Sequence, residues 1–178
     1  MSSQALTELT AAPQASAPST LPATARPGSI TLARHGEPAL SRKVRLSADE
    51  YREWWGRYEV GGLKAGQTPP PRLLALAREA EVVIASTRPR SVETAVAVCA
   101  GRSFASEPVM VEAPLPPPRW PRFLKLSPRA WGVIARGYWW FLNRDGGAES
   151  RDQAKRRAVQ AADRLESLAA SGGAVLVL

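Results

Sequence analysis

Thiols and imidazoles are nearly absent from this chain of 178 residues: cysteine occurs once, as Cys99, and histidine once, as His35. A single cysteine excludes an internal disulfide and fits a reducing, cytoplasmic setting. One cysteine beside one histidine also excludes a metal site built on thiolates or several imidazoles. Long apolar runs are missing too. The nearest approach, residues 130–142, is interrupted by Arg136 and falls short of the roughly 20 residues that cross a bilayer. Charge is scarce at the start of the chain, where residues 1–28 are mostly Ala, Ser, Thr and Pro and carry only Glu8 and Arg26. Such a segment buries too little apolar surface to offset its ordering entropy and is expected to form a disordered tail. It has neither the basic start nor the continuous apolar stretch of a secretory signal.

What is present fits one folded unit over residues 29–178, since 44% hydrophobic content in a chain of this length supplies one sizeable core. The net charge is +8, and lysine contributes only Lys43, Lys64, Lys125 and Lys155 among 24 basic residues. Arginine grips planar oxyanions with two bonds at once, and a basic field concentrates anionic ligands. Nucleic acid is an alternative partner on charge alone. The basic residues are dispersed, however, and no helix-turn-helix, zinc finger or ribonucleoprotein motif accompanies them, so a specific nucleic-acid site is not expected.

The periodicities alternate between strand and helix. Ile30 to Ala33 reads as a buried strand that breaks at Arg34-His35-Gly36-Glu37. Ser47 and Glu50 form a capping box for a helix that carries Tyr51, Trp54, Trp55 and Tyr58 on one side and ends near Gly61-Gly62. A proline run, Pro69 to Pro71, opens a second helix that ends around Ala80. Val82 to Ala85 reads as a second buried strand, followed by Ser86-Thr87-Arg88 and a helix from Pro89 to Gly101. A third strand is expected over Pro108 to Val111, and then a proline-rich surface segment. Ser127-Pro128 opens a helix with Trp131, Tyr138, Trp139, Trp140 and Phe141, expected to pack as core or lid. After a turn at 143–147, a long helix runs to about Ala170 with Ala158, Ala162, Leu165 and Leu168 facing inward and Arg151, Lys155, Arg156 and Arg164 solvated. Ala174 to Leu178 begins the last strand. The fold class is α/β, a three-layer sandwich with a mostly parallel sheet.

Ligands of such sheets collect beyond the carboxyl ends of the strands. Both Arg34-His35-Gly36 and Ser86 to Arg90 fall at such ends. A neutral imidazole flanked by guanidinium groups can accept a phosphorus atom while the arginines hold its oxygens, and nearby cations favour that neutral form. A covalent phosphohistidine divides phosphoryl transfer into two easier steps, the first of which needs a proton donor for the departing alkoxide.

Arg34-His35-Gly36-Glu37 on its strand resembles the signature loop of the histidine phosphatase superfamily, the clan of phosphoglycerate mutases and acid phosphatases. Gly66-Gln67-Thr68-Pro69 is similar to the segment that opens the family's next helix. Ser86 to Ala95 resembles the pattern that contains its second phosphate-binding arginine, here Arg90. Gly147-Ala148-Glu149-Ser150 with Asp152 looks like the start of its late helix, with one residue inserted, and Val111-Glu112 is similar to the position of its acid. The resemblance implies a phosphoglycerate mutase-like fold and hydrolysis of a small phosphorylated substrate through a phosphohistidine at His35. Arg34 and Arg90 would hold oxygens, Glu112 would donate the proton, and Gly36, Glu37, Ser41 and Ser86 would contribute to substrate binding. It implies no metal and no cofactor, and it makes residues 113–147 a cap over the site. Ser41 stands where many members carry an asparagine. The family also has a second catalytic histidine in a His-Gly pair after a strand like Val175 to Leu178, and the chain ends before it. The expectation is a truncated fragment or a degenerate relative with impaired turnover, the alternative being a non-catalytic phosphate-binding or regulatory protein.

Overall fold

The computed structural model describes residues 28–115, 117–142 and 149–178. Four strands form one parallel sheet: β1 (Ser29–Leu32), β2 (Val82–Ala85), β3 (Ala105–Ser106) and β4 (Ala174–Val177). Their order is β1-β4-β2-β3, with Ile30 opposite Val175, Val83 opposite Leu176, and Ile84 opposite Ala105. The last strand therefore fills the slot between the first two. The tail expected over residues 1–28 and the turn over 143–147 lie outside the described residues, apart from Gly28.

Parallel strands must be joined by crossovers, and the helices cover both faces of the sheet. α2 (Pro71–Glu79) and α3 (Pro89–Cys99) lie on one face, where Ala77, Ala95, Val98 and Cys99 pack on Val83, Ala85 and Leu176. α5 (Arg151–Ala169) lies on the other, where Leu165 and Ala169 pack on Ile84 and Val175. A separate aromatic core forms away from the sheet. There Tyr51, Trp54 and Tyr58 of α1 (Ala48–Val60) meet Trp131 of α4 (Pro128–Leu142). Two backbone bonds between Leu46 and Leu126, of 2.8 and 2.9 Å, close that unit, and Trp131 Nε1 donates to the Leu46 carbonyl at 2.6 Å. The capping box at Ser47 and Glu50 is present, and α1 ends at Gly61.

Four expectations need correction. β1 is not buried: it is an edge strand in the sheet order, and Leu32 is 73% exposed. The third strand lies at Ala105–Ser106, because Pro108 opens a 3-10 turn over Pro108–Met110 and cannot donate to a ladder. On α5 the inward stripe starts from Ala154, Arg157 and Ala161 and leaves Ala158 and Ala162 exposed. The stripe is turned because Arg157 faces inward to bond Glu149 and the carbonyls of Val109 and Val111. Trp131 and Trp139 are buried, whereas Trp140 and Phe141 point outward from the end of α4.

Candidate active site

The loop after β1 and the start of α3 meet, although β4 separates their strands. Two hydrogen bonds hold them together, and a third within α3 links the two. The Gly36 amide donates to Thr94 Oγ1 at 3.1 Å, and the Thr94 hydroxyl donates to the Arg90 carbonyl at 2.6 Å. Arg90 Nε then donates to His35 Nε2 at 3.2 Å. Gly36 has no Cβ, and one placed there would press on the Gln67 side chain at 3.1 Å. That side chain clamps the next residue from both sides: its carbonyl oxygen accepts from the Glu37 amide at 2.6 Å, and its amide nitrogen donates to the Glu37 carbonyl at 2.7 Å.

These contacts assign the tautomer of His35. Nδ1 lies 2.7 Å from the Gly36 carbonyl, which can only accept, so Nδ1 carries the proton. Nε2 then accepts from Arg90, and its lone pair is the nucleophilic one. Burial holds the His35 pKa below 6.5, Arg90, Arg34 and Arg42 lower it further, and the bond to Gly36 opposes them. All three cations act in the direction that keeps the imidazole neutral.

Arg90 is only 3% exposed. A cation so placed needs partners on every side, and Tyr58 provides two of them. Its carbonyl accepts from Arg90 Nη1 at 2.7 Å, and its ring lies 4.1 Å from the guanidinium carbon. Arg42 meets the same tyrosine, with Nη2 donating to the hydroxyl at 2.6 Å and its guanidinium carbon 5.3 Å from the ring. Tyr58 is thus a cationic junction. Sequence reasoning placed it only in the aromatic face of a helix and did not single out Arg42 or Thr94. The visible signal was Thr94 itself, four residues after Arg90, a spacing that puts both on one helix face.

A hollow of about 820 Å³ opens beside this junction, with Arg34, Arg42 and Tyr58 at that side. His35 and Arg90 do not line it directly. They adjoin it through the Tyr58 contacts and through Arg34, the neighbour of His35. Trp55, Leu115 and Val133 give it apolar walls, and Glu112, Arg129 and Arg136 are charged groups around it. The lining holds four arginines against one carboxylate. Glu112 pairs with Arg136 at 3.4 Å, and both side chains are largely exposed. Burial, reinforced by Glu112, pushes the Tyr51 hydroxyl up to about 12. That hydroxyl and Trp55 Nε1 are buried without a hydrogen-bond partner among the described residues.

The other residues singled out from sequence are placed elsewhere. The Glu37 carboxylate meets Lys64 at 3.6 Å on the surface. Ser41 accepts from the Lys43 amide with its hydroxyl and from Trp54 Nε1 with its carbonyl. Ser86 is buried and donates to Ser91 Oγ at 2.8 Å, and its hydroxyl also accepts from the Arg88 amide at 3.5 Å at the start of α3. Arg88 pairs with Glu59 at 2.7 Å. None of these four lines the hollow. Among the described residues no group of histidine, cysteine, aspartate and glutamate side chains could hold a metal ion, and no helix is long and apolar enough to cross a membrane. Compared with protein-family models, curated proteins and solved structures, the chain matches none.

Proposed function

We propose that the chain is a histidine phosphatase-type hydrolase with a phosphoglycerate mutase-like fold, acting on small phosphate esters through a phosphohistidine at His35. One observation supports this above the others. The sole histidine has its Nδ1 proton anchored on the Gly36 carbonyl and its Nε2 lone pair against an arginine, beside a hollow whose charge is mainly that of arginines. In the first step Nε2 attacks phosphorus, the N–P bond forms and the ester P–O bond breaks. The alkoxide leaves with a proton from Glu112, which must be in its acid form at that moment. Water then gives a proton to the Glu112 carboxylate and attacks phosphorus, the N–P bond breaks with its electrons returning to Nε2, and inorganic phosphate departs with the imidazole neutral and Glu112 an acid again. Arg90, Arg34 and Arg42 act electrostatically throughout, by holding oxygens whose charge grows in the transition state.

The Arg90 bond must turn from Nε2 to a phosphoryl oxygen before attack, since a donated proton occupies the lone pair. That same bond favours a second reading, in which the chain binds an anion and does not turn it over. Trapping separates them. Incubation with radiolabelled phosphoramidate, a small phosphoryl donor, should label the chain with an acid-labile, base-stable phosphate that His35→Ala abolishes. Calorimetric binding of phosphate without any labelling would establish the non-catalytic reading, and labelling that survives His35→Ala would move the nucleophile elsewhere.

A further inference from the structure

The hollow has two chemistries on its walls, and only one of them is used by the reaction proposed above. Arg34 and Arg42 mark the side next to His35. Elsewhere the wall carries apolar surface between the charged groups Glu112, Arg129 and Arg136: Trp55 comes from α1, Leu115 from the proline-rich segment and Val133 from the second turn of α4. Three separate parts of the chain therefore supply apolar surface to one cavity. Val133 is 70% exposed and open to a ligand entering the hollow. The volume of about 820 Å³ lies within the range of roughly 300–1,000 Å³ that takes a drug-sized organic molecule, far more than phosphate requires.

Resting on the phosphatase reading, we infer that the substrate is a phosphate monoester whose alcohol carries an aromatic or comparably apolar group. Its phosphate faces His35 between Arg34 and Arg42, and its ring covers Trp55, Leu115 and Val133. A small polyol phosphate would leave these apolar walls wet and gain nothing from them. A ring laid against them removes apolar surface from water on both partners, and its face can stack on the Trp55 indole.

The test uses two non-hydrolysable ligands of equal charge, 3-phenylpropyl phosphonate and propyl phosphonate, with affinities measured by calorimetry so that turnover is not required. The phenyl compound should bind at least about tenfold more tightly. Trp55→Ala and Val133→Ser should each cut that ratio to below about threefold, and Val133→Ser, an exposed change, guards against misfolding as the explanation. A ratio near one in the unaltered chain, or a ratio that both variants leave intact, overturns the assignment. Labelling of His35 by phosphoramidate is scored separately, so loss of the ring preference with labelling retained sinks this inference alone, and labelling absent with the preference retained sinks the hydrolase.

Discussion

Arg90 Nε donates to His35 Nε2 across 3.2 Å, joining residues 55 positions apart that stand in the loop after β1 and in the first turn of α3, which follow strands with a third between them. The bond is between a buried cation and the one imbalance it can relieve, a neutral nitrogen lone pair. Arg90 cannot easily swing away, since Tyr58 holds it through a carbonyl and a ring. A phosphate arriving at Nε2 therefore meets a guanidinium already beside it, whose Nε–H turns from the imidazole lone pair to a phosphoryl oxygen while the Tyr58 contacts keep the group in place.

Arg90→Ala should lower kcat/KM for a phosphate ester by at least about two orders of magnitude. Arg90→Lys should recover only part of this, because an ammonium cannot bond Tyr58 and a phosphoryl oxygen with the geometry of a planar fork. Steady-state kinetics of the two variants decide it. Unchanged kcat/KM in Arg90→Ala would dissolve the assignment of this loop to phosphate binding.

Much of this was readable in the sequence because it depends on local rules. The capping box at Ser47, the proline at the first turn of α3 and the run Val82 to Ala85 each specify their element within a few residues. The meeting of His35 with Arg90 followed from strand-end geometry, whereas Arg34 faces the hollow that those two do not line. What was not readable depends on partners distant in sequence. Nothing near Ile30 tells that β1 takes an edge position, which is set by where β4 inserts. The inward turn of Arg157 requires knowing that Glu149 and two carbonyls await it. Arg42 looked like one arginine among many until Tyr58 brought it beside Arg90.

The pH dependence follows from the sign of the His35 shift. Burial and three arginines lower its pKa from 6.5, and the neutral form is the nucleophile. The acid limb of kcat/KM should therefore fall below the ordinary histidine value, with activity above half its maximum at pH 6.5 and lost on further acidification. Arg34→Ala removes one of the lowering charges and should move that limb upward. Stability shares the sign. The folded state binds fewer protons than the unfolded chain between the lowered pKa and 6.5, so it should gain stability as pH rises through that window. An acid limb centred above 6.5 would contradict both.

Glu112→Gln should slow esters with poor leaving groups, such as alkyl phosphates, and spare an activated ester such as 4-nitrophenyl phosphate, whose leaving group needs no proton. Glu112 sits at the hollow's margin on Arg136. Equal slowing of both ester classes would remove Glu112 as the proton donor.

Ala100 closes α3 in the left-handed region, at φ 48°. Its Cβ costs about 1–2 kcal/mol there, and glycine's extra freedom in the unfolded chain offsets part of the relief. Ala100→Gly should stabilise the chain by about 0.5–1 kcal/mol in denaturant titration, with activity unaltered. A lowered midpoint would mean that the methyl group has a packing role its surroundings do not show.

Arg157 connects the late helix to the segment that carries Glu112. Its Nε and Nη2 bond the two Glu149 oxygens at 2.8 and 2.6 Å, and its Nη1 donates to the carbonyls of Val109 and Val111. Arg157→Ala strands a half-buried carboxylate and two carbonyls, which should cost about 2–3 kcal/mol and lower the melting temperature by about 4–10 °C. Because the Arg157 bond holds the Glu149 carboxyl below 4.5, the folded state loses part of this advantage when the carboxylate is protonated. The gap between the unaltered chain and the variant should therefore be full above pH 4.5 and narrow as pH falls through the lowered pKa. Arg157→Met keeps the aliphatic stem against α5 while removing the bonds, so it should resemble alanine in the pH dependence and exceed it in stability by the packing alone. A gap that stays constant down to pH 3 would show that the arginine contributes by packing and that its ion pair with Glu149 adds nothing.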